Sequence, residues 1–279
     1  MSVSILILTL NEEINLPACL KSVQWCDDIV VFDSLSTDRT PDIAKSAGAR
    51  VVQRRFDNYG SQREAARVEI QYKHPWVLAL DADEVPDKEL IDEIMKIAAM
   101  PDSPMNAFRM RRKDFFMGQW IRHSTLYPSW FIRFYKPDCI HYEPRTVHEY
   151  PTVCGKIGEL QGHLMHQSFN KGISDWTRKH VRYAELEALE NLQHTRCGQI
   201  DWKGLFAIQD PVRHRRTLKS ISYHLPLRPA LRFLYMYLFR LGILDGFAGF
   251  TYCQLIAIYE YMIVLRLKEL KRREQGLPV

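Results

Sequence analysis

The chain has 279 residues, 46% hydrophobic and 25% charged, with a net charge of +5. That is an ordinary globular composition, enough for one large domain or one domain with an extension. Its six cysteines include no C-x-x-C pair, and the opening MSVSILILTLNEE lacks a basic n-region and a small-residue cleavage site, so a reduced cytosolic compartment is expected.

The first eighty residues alternate strand-like and helix-like segments. VSILILTL is an apolar run short enough for a buried strand, and NEEINLPACLKSV then carries Ile14, Leu16, Leu20 and Val23 at roughly helical spacing. DIVVFD is a second strand and STDRTPDIAKSAGA a second helix with an early proline. RVVQRRF, SQREAARVEIQYK and WVLALD continue as strand, helix and strand, and PDKELIDEIMKIAAM reads as an amphipathic helix. From Asn106 to about Gln167 the chain is rich in aromatics, proline and histidine, and only pieces such as WFIRFYK read as strand. SDWTRKHVRYAELEALENLQ returns to helix with Ser174 as its cap.

Beyond Asp210 the character changes. Arg213, Arg215, Arg216, Lys219, Arg228, Arg232 and Arg240 occur without any acidic residue between Pro211 and Arg240, which points to an anionic partner surface. The apolar, aromatic stretch that follows is interrupted by Arg240, Asp245 and Glu260, so no uncharged run reaches the ~18 to 20 residues that spanning requires. Helices lying on a membrane, or packed on the domain, are expected. Long apolar helical stretches with aromatics at their edges suit a membrane interface, not nucleic acid.

Alternation of this kind specifies a doubly wound, mostly parallel sheet with helices on both faces, in which ligands bind beyond the carboxyl ends of the strands. Those ends are Thr9–Asn11, Asp33–Asp38 and Asp81–Glu84. Asp81 and Asp83, two carboxylates one residue apart after a strand, suit a hard divalent cation that also bridges a diphosphate. The same acids, with Glu84, also suit a solvated loop capping the helix after Pro86. Neither G-x-G-x-x-G nor G-x-x-x-x-G-K-[ST] is present, so diphosphate binding would rest on a metal.

Taken together, SILILTLNEEINLPACLKSV, DDIVVFDSLSTDRTPDIA, NYGSQREAAR and WVLALDADE resemble, in order and spacing, the nucleotide-sugar half of glycosyltransferase family 2, whose fold is GT-A. FFMGQWIRHSTLYPSWFIRFYKP, VHE, HQSF and RLGILDGFAGF extend the resemblance to the lipopolysaccharide core β-1,4-glucosyltransferase subfamily. The resemblance implies an α/β GT-A domain with a C-terminal helical extension: residues 1–100 as the nucleotide-sugar half, 101–190 as the acceptor and catalytic half, and 191–279 as a basic, aromatic extension.

By position, Thr9, Leu10, Asn11 and Glu12 would contact uridine, and Asp33 would accept from the uracil imide, an N–H that cytosine lacks. Gln62, Arg63, Asp81 and Ala82 would lie beside the sugar nucleotide, Arg63 helping to neutralise phosphate. Asp83, with Asp81, would hold Mn2+ or Mg2+, and His166 in HQSF is the candidate to complete the metal shell. Glu149 in TVHEY would be the base that an inverting transfer needs; a salt-bridged turn is the structural alternative for VHE. The family usually has glycine where this chain has Leu35, from which we expect no positive φ after Asp33, and asparagine where it has Glu64.

Trp120, Arg122, Tyr127 and Arg133 combine aromatic faces for sugar rings with guanidinium groups for phosphate or carboxylate, as an anionic glycan acceptor would require; core packing is the other use for these aromatics. The reading is a metal-dependent inverting glycosyltransferase using a UDP-hexose, UDP-glucose first, on a glycan or lipid-linked glycan acceptor such as inner-core heptose. It would sit peripherally on the inner face of the cytoplasmic membrane and allows a homo-oligomer. A protein, exopolysaccharide or lipid-carrier acceptor, or a non-catalytic binding protein on the same fold, stays open at this point.

Overall fold

The structure, a computed structural model, describes residues 3–100, 103–142, 151–196 and 227–279, with residues 202, 204, 217 and 221. The chain divides into two compact units, Met1–Ile173 and Ser174–Val279.

In the first unit, β1 (Val3–Thr9), β2 (Ile29–Asp33), β3 (Arg50–Gln53) and β4 (Trp76–Asp81) form a parallel half-sheet in the order 3-2-1-4. The helices between them are α1 (Leu16–Ser22), α2 (Thr40–Ser46) and α3 (Tyr59–Glu69). Apolar side chains on both faces explain the continuous runs. Val3, Ile5 and Ile7 pack with Leu16, Leu20 and Ala44 on one face, whereas Leu6, Val30 and Phe32 pack with Ala66 and Ile70 on the other. Each fully buried Val, Ile, Leu or Phe among them contributes about 1.5–3 kcal/mol.

After β4 come the short β5 (Glu84–Pro86) and α4 (Lys88–Ala98), which Asp87 caps by accepting from Leu90 N at 2.9 Å. The sheet then becomes mixed. β6 (Met105–Phe116), β7 (Gln119–Trp120), β8 (Trp130–Tyr135), β9 (Ile140–Tyr142), β10 (Pro151–Val153) and β11 (Lys156–His166) follow, and the main sheet runs 3-2-1-4-8-6-11-5. β8 is antiparallel to β4 and to β6, while β6 and β11 are parallel. The β11 register is irregular between Glu159 and His163, where Gly162 lies against α4. A Cβ at Gly162 would stand 2.2 Å from Leu90 N, so only glycine permits that approach.

The second unit contains nearly all of α5 (Gly172–Arg196), then α6 (Arg228–Leu234), a π-helical turn Tyr235–Phe239, a 3-10 turn Gly242–Asp245 and α7 (Gly246–Glu274). α5 starts at Gly172, so Ser174 lies inside its first turn and is not the cap expected from the sequence. His180 on α5 stacks on Trp176 and meets Tyr259 of α7 edge-on, with centroids 5.0 Å apart.

Candidate active site

β4 delivers Asp81 to the carboxyl end of the parallel half-sheet, and the chain turns at Ala82 and Asp83 before β5. Even-odd alternation along β4 places Asp81 on the α3 side, where Arg63 Nη2 donates to its Oδ1 at 2.8 Å. Arg133 Nη2, from β8, donates to Oδ2 at 2.5 Å. Burial works to raise the Asp81 carboxyl, but Arg133, Arg63 and Arg112 outweigh it and hold the group well below the usual carboxylate range.

Glu84 settles what the third acid of the cluster does. It is fully buried, accepts from the backbone N of Asp81 at 3.0 Å through Oε2, and faces Arg133 at 3.3 Å and Arg112 at 3.6 Å through Oε1. It therefore fixes the strand end and both arginines, while Asp87 supplies the α4 cap. Buried charges of this kind need partners on every side, and these are paired.

On the far side of the turn, His166 sits between two carboxylates. Its register neighbours are Asp114 on β6 and Glu84 on β5. Nδ1 lies 2.6 Å from Asp114 Oδ1, and Nε2 lies 3.2 Å from Asp83 Oδ2. Burial and Arg112 oppose a charge on the ring, yet the hydrogen bonds to Asp114 and Asp83 prevail and lift His166 to about 9. Asp114, itself pushed up by burial, is brought below its usual range by His166 and by Arg112 at 3.0 Å. The backbone N of Gln167 donates to Asp83 O at 2.9 Å, which pins the turn to the end of β11.

At the β1 and β2 ends, Asp33 is fully buried. Its Oδ1 accepts from Thr9 Oγ1 at 2.8 Å and Ser36 Oγ at 2.5 Å; its Oδ2 accepts from Ser36 N at 2.9 Å and Gln53 Nε2 at 3.0 Å. All four lone-pair positions are thus used within the protein, so a base imide would have to replace Gln53 or the Ser36 hydroxyl. Asn11 (φ +56) bridges to the same loop by accepting from Thr37 N at 2.8 Å. Leu35 has φ +60, contrary to the expectation from its replacing glycine: the left-handed turn is kept, and leucine bears the strain.

Leu10 is exposed, and Glu12 is tied to Lys171 at 2.5 Å and Asn15 at 2.8 Å; burial raises the Glu12 carboxyl, and Lys171 opposes that. Gln62 is buried between Ser34 Oγ at 3.0 Å and Arg54 at 2.7 Å, and Ala82 is buried in the core. Glu64 joins α3 to β9 by accepting from Tyr142 N at 3.0 Å while pairing with Arg67.

Of the residues expected at an acceptor, Trp120 and Tyr127 meet edge-on with centroids 5.1 Å apart, and the Arg122 guanidinium lies over both rings. Arg133 does not join them: it is buried beneath Asp81 and Glu84, because two carboxylates there require its charge. Glu149 lies outside the described residues.

Sequence reasoning passed over Asp114, Arg112 and Gln53, and gave Ser36 only as part of the strand end Asp33–Asp38. The alternation of Arg112 and Asp114 within MRRKDFF was a usable signal, since both lie on one face of β6. Among the described residues a separate trio, Asp87, Glu89 and His163, brings ligand atoms within 4.8 Å of one another at the start of α4. There Asp87 is already occupied as helix cap and as acceptor from His163 N at 3.1 Å.

A parallel half-sheet ending in a carboxylate pair, continued by a mixed set of strands that bring arginine and histidine to the same end, is the GT-A architecture of sugar-nucleotide glycosyltransferases. The description "Glycosyl transferase family 2" matches residues 4–155, and the chain belongs to that family. It is 26% identical over 273 residues to the "Lipopolysaccharide core biosynthesis glycosyltransferase LpsC" of Rhizobium meliloti (strain 1021), covering 95% of this chain and 91% of that one. An "Uncharacterized glycosyltransferase" of Rickettsia bellii (strain RML369-C) is 42% identical over 98 residues, 35% of this chain, and the match spans only 33% of that relative's length. Among solved structures, S. aureus TarS 1-349 aligns with 99% of this chain and 92% of its own at 15% identity and a TM-score of 0.44. Glucosyl-3-phosphoglycerate synthase from Mycobacterium tuberculosis, in complex with Mn2+, UDP-Glc and phosphoglyceric acid, aligns with 42% of this chain and 44% of its own at 21% identity and a TM-score of 0.33.

Proposed function

We propose that this family 2 glycosyltransferase moves a hexose, glucose in the simplest case, from a UDP-sugar to a glycan acceptor with inversion at the anomeric carbon. The observation that carries this reading is the convergence of Asp81, Asp83 and His166 at the end of β4, with Arg63 and Arg133 beside them. Asp83 and Asp81 would supply carboxylate oxygens to Mn2+ or Mg2+, and His166, held as a cation between Asp114 and Asp83, would have to release its Nε2 proton to join them. Bound there, the cation would stabilise the charge that develops on departing UDP.

The chain's own residues do the rest. Arg63 and Arg133, which now neutralise Asp81, are placed to share their charge with a diphosphate. Thr9, Asn11 and Asp33 organise the loop that would receive uridine, and Asp33 selects uracil once a protein donor gives way to the imide. Trp120 and Tyr127 offer ring faces to the acceptor, with Arg122 over them for an anionic group. Glu149 would take the proton of the attacking hydroxyl.

LpsC's name, together with similarity along nearly the whole chain, supports the lipopolysaccharide core as acceptor; an inner-core heptose is the acceptor we propose within it. With a lipid-linked acceptor of this kind, the enzyme would work as a peripheral protein on the inner face of the cytoplasmic membrane. The test is transfer from UDP-[14C]glucose to a heptose-terminated core acceptor, with Mn2+ and with EDTA. Labelled product that requires both metal and heptose supports the reading; equal product in EDTA, or transfer only to protein or carrier lipid, overturns it.

A further inference from the structure

We propose that the hairpin formed by α6, the π-helical turn and α7 is a wedge that enters one leaflet of an anionic bilayer, closed end first. It specifies the membrane contact in the function proposed above and is independent of the transfer chemistry.

The closed end is inverted relative to a water-facing surface. Between Leu234 and Tyr259 the only charged residues are Arg240 and Asp245. Asp245 is buried, Arg240 is partly buried, and each is engaged by contacts within the chain. Around them Phe239 (80% exposed), Phe247 (74%) and Leu244 (65%) face outward, together with Leu238, Leu241 and Ile243. Apolar side chains outside and charges inside is the arrangement that hydrocarbon favours over water. Beneath this surface Phe233, Tyr237 and Phe250 lock the two arms together, with centroids 5.3 to 5.9 Å apart.

The open end carries the opposite character. A pocket of about 490 Å³ brings Arg228 from α6 together with Lys268 and Lys271 from α7. Glu260, the acid that breaks the apolar run of α7, is paired with Arg228 at 2.6 Å and does not face outward alone. Next to that pocket, sharing Pro229, Ala230 and Tyr261 with it, lies an open groove of about 670 Å³ that includes Phe233, Leu234, Ala257 and Ile258. A cationic site adjoining an apolar groove matches the phosphate and acyl chain of an anionic phospholipid.

Length fixes the depth. Arg228–Phe239 comprises the first arm, which at 1.5 Å per residue is about 18 Å long. The hydrocarbon core is about 30 Å thick, so the hairpin reaches into one leaflet and turns back. Although the helical stretch Gly242–Glu274 is long and apolar enough to cross, crossing would carry the Arg228–Glu260 pair and the short arm into the bilayer core.

The test is flotation of the full-length protein with sealed vesicles of phosphatidylcholine alone or with about one-third phosphatidylglycerol. Wild type should float with the anionic vesicles, and L244E/F247E should lose at least about tenfold in bound fraction. K268E/K271E should lose the preference for phosphatidylglycerol while keeping its circular dichroism. A thiol-reactive probe sealed inside vesicles should leave L244C unmodified. Unchanged flotation of L244E/F247E, reaction of L244C from the lumen, or a stable dimer in solution that L244E/F247E dissociates would overturn the proposal. Flotation without sugar transfer would leave the wedge standing and sink the chemistry, and transfer to a soluble acceptor without flotation would do the reverse.

Discussion

The carboxyl end of β4 and the closed end of the C-terminal hairpin handle charge in opposite surroundings. Around Asp81 the first unit gathers Glu84, Arg63, Arg133, Arg112, His166 and Asp114 into one paired network at the mouth of a sheet whose apolar residues are inside. In the hairpin the apolar residues are outside, and Asp245 is buried. One rule produces both patterns, since charge is placed where it finds a partner and apolar surface where its solvent tolerates it. On the function proposed above, the first arrangement would preorganise a site for an anionic, metal-bound ligand in water. The second suits a surface whose solvent is lipid.

The comparison breaks most decisively at Asp83. Asp83→Ala should lower transfer on the order of 10^4-fold, the several kcal/mol a bound cation contributes, with an unchanged circular dichroism spectrum. Near-normal turnover in a coupled UDP-release assay would detach the network from chemistry. Glu149→Gln should cost about 10^3-fold in kcat with little change in donor KM. Full activity would remove Glu149 as base.

Arg133→Met tests the network as structure. It leaves Glu84 and Asp81 short of a buried cation, so urea unfolding should show a loss of about 3 kcal/mol, and E84Q/R133M should recover part of it. A surface-like change of a few tenths would show that the pairing is solvated. The smallest effect sharpens the picture at His166. Asp114→Ala frees the Nδ1 side of the ring and should weaken Mn2+ binding about 10- to 100-fold by calorimetry, and because it also leaves Arg112 short of a buried partner the melting temperature should fall.

Much of the fold was legible because the parallel half-sheet is buried on both faces. β1, β2 and β4 are continuous apolar runs, and the helices between them carry helical periodicity. β6 and β11 escaped because their outer ends serve the ion network: MNAFRMRRKDFF mixes arginine, lysine and aspartate into a twelve-residue strand. The same concealment hid Asp114 and Arg112, whereas Asp81 and Asp83 stood out as adjacent acids after an apolar run. Leu35 shows the limit of reading turns by residue type, since the left-handed conformation is imposed by the loop around Asp33 and not by glycine. In α7, Glu260 looked like an interruption, and its partner Arg228 lies 32 positions earlier, a pairing that local pattern does not reveal.

Binding of UDP-glucose followed by titration calorimetry, in Mn2+ and in EDTA, for wild type and Asp83→Ala tests the site most directly. Binding to wild type should tighten strongly with Mn2+, and Asp83→Ala should lose that gain while retaining its weak metal-free affinity. Equal affinity of wild type in Mn2+ and EDTA, or an Asp83→Ala variant that still responds to Mn2+, would contradict the assignment of the β4 acids to a metal-diphosphate site.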